Sequence, residues 1–155
     1  GYGVIEFKSN RFSVVDYGAI TTNAGTPFER RLELIYDDLN LLMGKFHPEA
    51  MSIEKLFYNT NAKTVIDVAQ ARGVTVLAAK KNNRPIFEYT PLQVKQSVVG
   101  YGRAEKKQVQ EMTRIILKLA KIPKPDDTAD ALAMAICHAH ASGSLMGKLN
   151  SMGIR

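Results

Sequence analysis

Hydrophobic and polar residues follow a strand-like pattern along the first part of the chain. The segments GYGVIEF and RFSVVDYGAITT are rich in β-branched and aromatic residues, and the turn-prone KSN separates them. Two such runs divided by a short polar turn are typical of paired strands. The pattern therefore predicts a β-hairpin at the start of the sequence.

The next segment, TPFERRLELIYDDLNLLMGKFHP, has apolar residues at steps of three and four, which is the period of an amphipathic helix. Thr26 is a candidate N-cap, Pro27 suits the first turn, and Gly44 stands near the expected end. Pro48 stops any continuation. The run EAMSIEKLF, which ends its apolar part on Glu54, then predicts a buried strand.

Residues 61–90 combine helical spacing with two short apolar runs. NAKTVIDVAQARG has the helical period, and Gly73 is placed where a helix C-terminus favours the left-handed conformation. VTVLAAK follows and predicts a strand. After the turn KNNR, the segment PIFEYT predicts another strand.

Helical patterns dominate the rest of the chain. PLQVKQSVVG predicts a short helix that starts at a proline, and GYGR predicts a loop bracketed by glycines. The helix AEKKQVQEMTRIILKLA follows, and the linker KIPKPDD leads into a last helix that begins at the aspartates. Residues 142–155 are polar and contain glycine, so we expect a flexible tail there.

The order of these elements predicts the fold class. Strands, a helix, a strand, a helix, a strand and then helices indicate a mixed α/β sheet covered by helices on both faces. The length of 155 residues suits a single domain, 1–155, that needs neither disulfides nor a structural metal. No window approaches the roughly 18 consecutive apolar residues of a membrane span, so no membrane partner is expected.

Composition adds expectations about location and partners. The single cysteine, Cys137, excludes an internal disulfide and is expected to be a small buried residue rather than a nucleophile. It favours the cytoplasm, as does the lack of a signal-peptide pattern at the start. Twenty-one Lys and Arg against fifteen Asp and Glu give a formal net charge of +6. That charge suits a phosphate-rich partner such as DNA or RNA.

Carboxylates occur at two places where a ligand could bind. Glu54 ends an apolar run, and ligands gather at the C-terminal ends of strands in open α/β sheets. On the last helix Asp127 shares a face with Asp130, and so does Asp126, so spacing does not choose between them. Aspartates here could simply cap the helix. Clustered carboxylates are also what Mg²⁺ prefers, because it is a hard ion with oxygen ligands.

The two histidines of the same helix do not extend this candidate site. His138 stands eight residues beyond Asp130, which is about 12 Å along a helix axis. One ion cannot bridge that distance. We therefore interpret His138 and His140 as surface residues or as residues near the C-terminal end of the helix.

Basic and aromatic residues suggest contacts with a nucleic acid. The cations gather around the glycine loop VVGYGRAEKK, and the aromatics stand in it or directly after Glu54. These residues are Lys95, Arg103, Lys106 and Lys107 with Tyr101, and Phe57 with Tyr58. The cations could follow a phosphate backbone or form a solvated lysine-rich face, and the two interpretations have equal weight. The aromatics after Glu54 could stack on bases or fold back into the core.

Three longer segments resemble the RuvC family of Holliday junction resolvases, which belongs to the RNase H-like superfamily. They are TVIDVAQARGV after IEKLF, then FEYTPLQVKQSVVGYGRAEKKQVQ, and finally DTADALAMAICHAH. The resemblance runs from Gly1 to about Lys148, and the middle segment is the most specific. It implies an RNase H-like mixed five-stranded sheet with helices on both faces.

The resemblance also implies roles for individual residues. Glu54 matches the strand-end carboxylate of a two-metal site, and Asp127 with Asp130 match its helix pair. Asp126 is then the neighbouring cap. The expected cofactor is Mg²⁺, with two ions bound and Mn²⁺ as a substitute.

The remaining matches concern the DNA. Phe57 matches an aromatic used at opened base pairs of the junction. Lys95 and Lys106 match lysines near the cleaved backbone.

One part of the family pattern has no match. The fourth acid of the family is an aspartate in an Asp-Pro-Gly motif on a first strand, which would precede Gly1. Asp16 offers an Asp-x-Gly pattern but lies on the following strand, so it is not assigned this role. We therefore expect the sheet to lack its first strand in this sequence.

The implied activity is symmetric, metal-dependent nicking of four-way DNA junctions in recombination and repair. A homodimer is expected, with the apolar side of helix 62–72 as its interface, and the branch-migration proteins RuvA and RuvB are implied partners in a bacterial cytoplasm. The alternative is a catalytically inactive junction-binding fragment. A third hypothesis is an ATP-binding relative of the superfamily, but no glycine-rich phosphate loop in the sequence supports it.

Overall fold

The computed structural model describes residues 1–56 and 62–151, and these contain four strands and five helices. In chain order they are β1 (Tyr2–Lys8), β2 (Arg11–Gly18), α1 (Phe28–Phe46), β3 (Met51–Glu54), α2 (Ala62–Lys81), β4 (Ile86–Tyr89), α3 (Pro91–Val99), α4 (Lys106–Ile116) and α5 (Asp126–Ser151). The mixed α/β class is confirmed.

Within the described residues the strands form two small sheets. β1 pairs with β2, and β3 pairs with β4. The first pair is antiparallel and ends at Lys8 opposite Arg11, which confirms the predicted hairpin. Its turn residues Ser9 and Asn10 have φ angles of 51° and 59°, and two positive φ values match the twist of a two-residue hairpin. The larger five-stranded sheet stays a prediction.

Helix α1 forms where its apolar period predicts it, but its N-terminal cap differs. Pro27 rather than Thr26 is the N-cap residue, and no side chain caps the helix there. The prediction for Thr26 is therefore wrong. At the other end His47 adopts the left-handed conformation with φ 46°, and its N–H donates to the carbonyl of Met43 at 3.0 Å.

Helix α2 replaces the predicted strand VTVLAAK, so that prediction is wrong. Gly73 lies inside the helix rather than at its end. A glycine in a helix interior costs only about 1 kcal/mol relative to alanine, and packing can outweigh that cost. Here α2 packs against α1, and Ala78 and Ala79 are completely buried.

The chain divides into two compact units, one formed by residues 1–19 and 89–155 and the other by residues 20–88. In the first unit α5 packs against the hairpin, α3 and α4. Its Leu132 and Ile136 are fully buried and belong to one hydrophobic core with valines of α3 and α4. Helix α5 is thus the central element of this unit.

Helix α5 is longer than its sequence pattern predicts. It continues to Ser151, so residues 142–151, which were expected to belong to a flexible tail, are helical. Cys137 is buried, with 4% of its surface exposed, as predicted. No helix in the described part of the chain is both long and apolar enough to span a bilayer.

Candidate functional site

The first turns of α5 are fixed by buried neighbours. Thr128 and Ala129 are buried, and the Thr128 hydroxyl donates to the carbonyl of Gly18 at 3.1 Å. A Cβ atom on Gly1 would lie 2.2 Å from the carbonyl oxygen of Asp127, so the start of the hairpin is directly against this part of α5. The buried side holds the helix end in place, while the aspartates face outward.

Two lysines engage the aspartates. The Nζ of Lys106, at the first residue of α4, lies 3.1 Å from Oδ2 of Asp130 and 3.7 Å from Oδ2 of Asp126. The Nζ of Lys124 lies 2.5 Å from Oδ1 of Asp126. The hydrogen bond to Asp130 raises the pKa of Lys106, and the hydrogen bond from Lys124 lowers the pKa of Asp126. The site is therefore an ionic cluster joining α4 to α5.

Asp126 does not act as the cap that the sequence suggested. It is the first residue of α5, and both of its carboxylate oxygens lie beside lysine ammonium groups. Its side chain is half-exposed, like that of Asp130. Asp127, between them in sequence, is exposed.

Gln110 is a member of this cluster that sequence reasoning missed. It stands one helical turn after Lys106 on α4 and is only 5% exposed. Its amide is close enough to Asp126 to help lower the pKa of that carboxyl, after the larger effect of Lys124, although its Nε2 makes no hydrogen bond of normal geometry. The signal in the sequence was its spacing: Gln110 stands four residues after Lys106, which places both on the same face of α4.

The aspartates of α5 fit a divalent cation in donor type. Carboxylate oxygens suit hard ions such as Mg²⁺, and Asp130 already has the Lys106 ammonium against its Oδ2. Among the residues that the structure describes, no three His, Cys, Asp or Glu side chains are arranged to hold a metal ion. Glu54 lies exposed at the end of β3, in the unit of residues 20–88.

The basic residues of the glycine loop lie in the same unit as the aspartates. Lys95 is partly buried on α3, while Arg103, Lys106 and Lys107 are exposed. Gly100 ends α3 with φ 98°, a value that favours glycine. The loop thus carries exposed cations directly into α4.

Gly102 and Tyr101 of the same loop have different surroundings. A Cβ atom on Gly102 would lie 2.2 Å from Cδ1 of Leu92, so a larger residue there would require the exposed Leu92 side chain to shift. Tyr101 is 48% exposed.

Phe57 and Tyr58, the two aromatics that follow Glu54 in the sequence, fall outside the described residues.

Both histidines lie in the middle of α5; His140 is exposed, as interpreted, whereas the interpretation is wrong for His138. His138 is partly buried, and its Nδ1 lies 2.8 Å from the hydroxyl of Tyr89. His140 has its Nδ1 3.0 Å from the Ser97 hydroxyl, and its ring meets that of Phe12 edge-on. Both have structural partners within their own unit.

Comparison with known proteins identifies the family of this chain. The family model for "Crossover junction endodeoxyribonuclease RuvC" matches residues 1–138. The chain belongs to the RuvC family. The resemblance seen in the sequence is thereby confirmed.

RuvC proteins of two bacteria show how far the similarity extends. The RuvC of Ruminiclostridium cellulolyticum is 60% identical over 149 residues, which cover 95% of this chain and 90% of that protein. The RuvC of Clostridioides difficile is 55% identical over 153 residues, which cover 99% of this chain and 90% of that protein.

A solved structure supports the fold. Thermus thermophilus RuvC in complex with Holliday junction substrate superposes with a TM-score of 0.85 and 31% sequence identity. The match covers 90% of this chain and 86% of that one. The RuvC fold therefore extends through most of this chain.

Proposed function

We propose that this protein is a structure-selective endonuclease that resolves four-way DNA junctions by metal-dependent, symmetric nicking during recombination and repair. The observation that carries the proposal is the match of residues 1–138 to the RuvC nuclease family. The similarity to a RuvC structure with a Holliday junction substrate adds support for the choice of DNA.

In this proposal, Glu54, Asp127 and Asp130 are the metal ligands. When bound, Mg²⁺, or Mn²⁺ in its place, would activate a water and stabilise the departing 3′ oxygen. The half-exposed side chain of Asp130, which already attracts an ammonium group, supports a cation at this end of α5. The number of ions, two by family resemblance, remains part of the proposal.

The basic residues would handle the charge of the DNA. Lys106 and Lys95 would offset charge that develops on the scissile phosphate, and the exposed Arg103 and Lys107 would contact the backbone of a junction arm. Phe57 and Tyr58 would meet the opened base pairs. The formal net charge of +6 suits such a polyanionic substrate.

The finer points of assembly also belong to this proposal. A homodimer would place two sites on a junction of near two-fold symmetry. Ile66, Val68 and Leu77 of α2 expose large apolar side chains, which supports this helix as the interface. The five-stranded sheet, the RuvA and RuvB partners and a cytoplasmic location follow from the family resemblance.

A junction-binding protein without catalysis is the second candidate. It was suggested by the family aspartate that has no match in the sequence. The chain spans about 90% of the length of the nucleases that it matches, which favours the nuclease.

One assay separates the two candidates. The protein is incubated with a synthetic four-way junction and Mg²⁺, and the products are resolved on a denaturing gel. Paired nicks at symmetric positions in opposing strands are expected, and a linear duplex of the same sequence should remain uncut. Tight junction binding without nicking would instead identify a binding protein.

A further inference from the structure

Lys106 is shared between two carboxylates, and only one of them has a role in the proposed function. Its Nζ lies 3.1 Å from Oδ2 of Asp130 and 3.7 Å from Oδ2 of Asp126. Asp130 is a proposed metal ligand. Asp126 has no such role, yet both of its carboxylate oxygens face lysines, the second being Lys124 at 2.5 Å.

A divalent cation bound to the carboxylate of Asp130 would repel the Lys106 ammonium, because both are positively charged. This repulsion favours a shift of Lys106 from Asp130 toward Asp126 when Asp130 binds a divalent cation. Its side chain is 55% exposed and is long and flexible, so it can move. Asp126 lies one helical turn from Asp130, on the same face of α5, and offers the nearest second carboxylate.

We propose that Asp126 is a positioning residue that retains Lys106 beside Asp130 while Asp130 binds a divalent cation. This inference rests on the proposed function, because it assumes that Asp130 is a metal ligand. Lys106 would move from one carboxylate to the next without leaving the site.

The affinity of the full chain for Mn²⁺, measured without DNA from the electron paramagnetic resonance signal of free Mn²⁺, tests this role. Lys106→Met removes the competing ammonium and should tighten binding about three- to fivefold. Asp126→Asn leaves Lys106 with Asp130 alone and should weaken binding about three- to fivefold. In the Lys106→Met background, Asp126→Asn should change the affinity for Mn²⁺ less than about twofold, because no ammonium is left for Asp126 to hold.

Lys124→Met is the matched control. Lys124 contacts Asp126 but forms no ion pair with Asp130 among the described residues, so Asp126→Asn should keep its full effect in that background. Equal weakening by Asp126→Asn with and without Lys106 would overturn the proposal, because Asp126 would then act through its charge alone. The absence of saturable Mn²⁺ binding would overturn it as well.

Two further measurements keep the outcome interpretable. Melting temperatures identify any variant that is poorly folded, and Asp126→Ser replaces the Asn variant if that one unfolds. Junction cleavage by the unchanged chain is assayed in parallel. An uncut junction rejects the proposed function, whereas a cut junction with equal weakening in both backgrounds rejects only the role of Asp126.

Discussion

The hydroxyl of Tyr89 lies 2.8 Å from Nδ1 of His138 and links the end of β4 to the middle of α5. The two rings are also close, with centroids 5.9 Å apart. Burial lowers the pKa of His138 below its ordinary value of 6.5. The folded protein therefore favours the neutral imidazole at this position.

Stability should consequently fall in mildly acidic solution. Below about pH 6.5 the unfolded chain protonates His138, while the folded chain keeps it neutral until the pH reaches the lower folded pKa. The contribution of His138 to the free energy of unfolding is therefore complete above about pH 6.5 and is lost as the pH falls through the folded pKa. Urea unfolding at pH 7.5 and 5.5 measures the change. The stability advantage of wild type over His138→Gln should shrink at the lower pH.

Tyr89→Phe is the control for this prediction. It removes the hydroxyl but keeps the ring, and burial rather than that hydrogen bond is the cause of the lowered pKa. The variant should therefore keep the pH trend. A trend that disappears with the hydroxyl would contradict the assignment to burial.

Asp127→Asn should abolish junction cleavage and leave junction binding largely intact. The substitution removes a negative charge that a cation needs but keeps the shape of an exposed side chain. Gel-shift and cleavage assays on the same junction measure both properties. Asp16→Asn, on the hairpin, is the matched control and should still cut; unchanged cleavage by Asp127→Asn would remove this residue from the site.

Arg103→Ala and Lys107→Ala should each weaken junction binding more at low salt than at high salt. Each lost phosphate contact makes the negative slope of log affinity against log salt less steep by about 0.9. Binding titrations between 50 and 200 mM salt, roughly the range over which such contacts matter, measure the slope. Lys121→Ala, another exposed lysine, should leave it unchanged, and an equal change there would show a diffuse charge effect.

Gly3 and Leu132 should show coupled effects on stability. Leu132 is fully buried, and its loss to alanine should cost about 2–5 kcal/mol. A Cβ atom on Gly3 would lie 2.6 Å from Cδ2 of Leu132, so Gly3→Ala should cost about 1–3 kcal/mol by overpacking. In the Leu132→Ala background the added methyl should fit, and a purely additive double variant would disprove the clash.

The sequence predicted secondary structure correctly where its hydrophobic pattern fits only one type of element. The hairpin has alternating strands around KSN, and α1 has an uninterrupted helical period, so both were predicted. The stretch after Gly73 has two readings, because a run of apolar and β-branched residues suits a strand or a buried helix. Contact with α1 decides for the helix, and this contact is distant in sequence.

The sequence suggested the carboxylates of the candidate site but not the contacts that they make. The acidic spacing of α5 indicated carboxylates on one face, and family resemblance singled out Asp127 and Asp130. The pairing of Lys106 with Asp130 joins residues on two helices, and only their packing brings them together. The same holds for Tyr89 and His138, since no local pattern connects a strand end to a helix middle.

The buried thiol of Cys137 makes this protein a convenient host for spectroscopic labels. It is the only cysteine in the sequence, and burial raises its pKa, which keeps it in the unreactive thiol form. A cysteine introduced at the exposed Lys121 could therefore be tagged with a fluorophore without first replacing the native one. Energy transfer from such a tag to a labelled DNA arm would follow junction opening in real time.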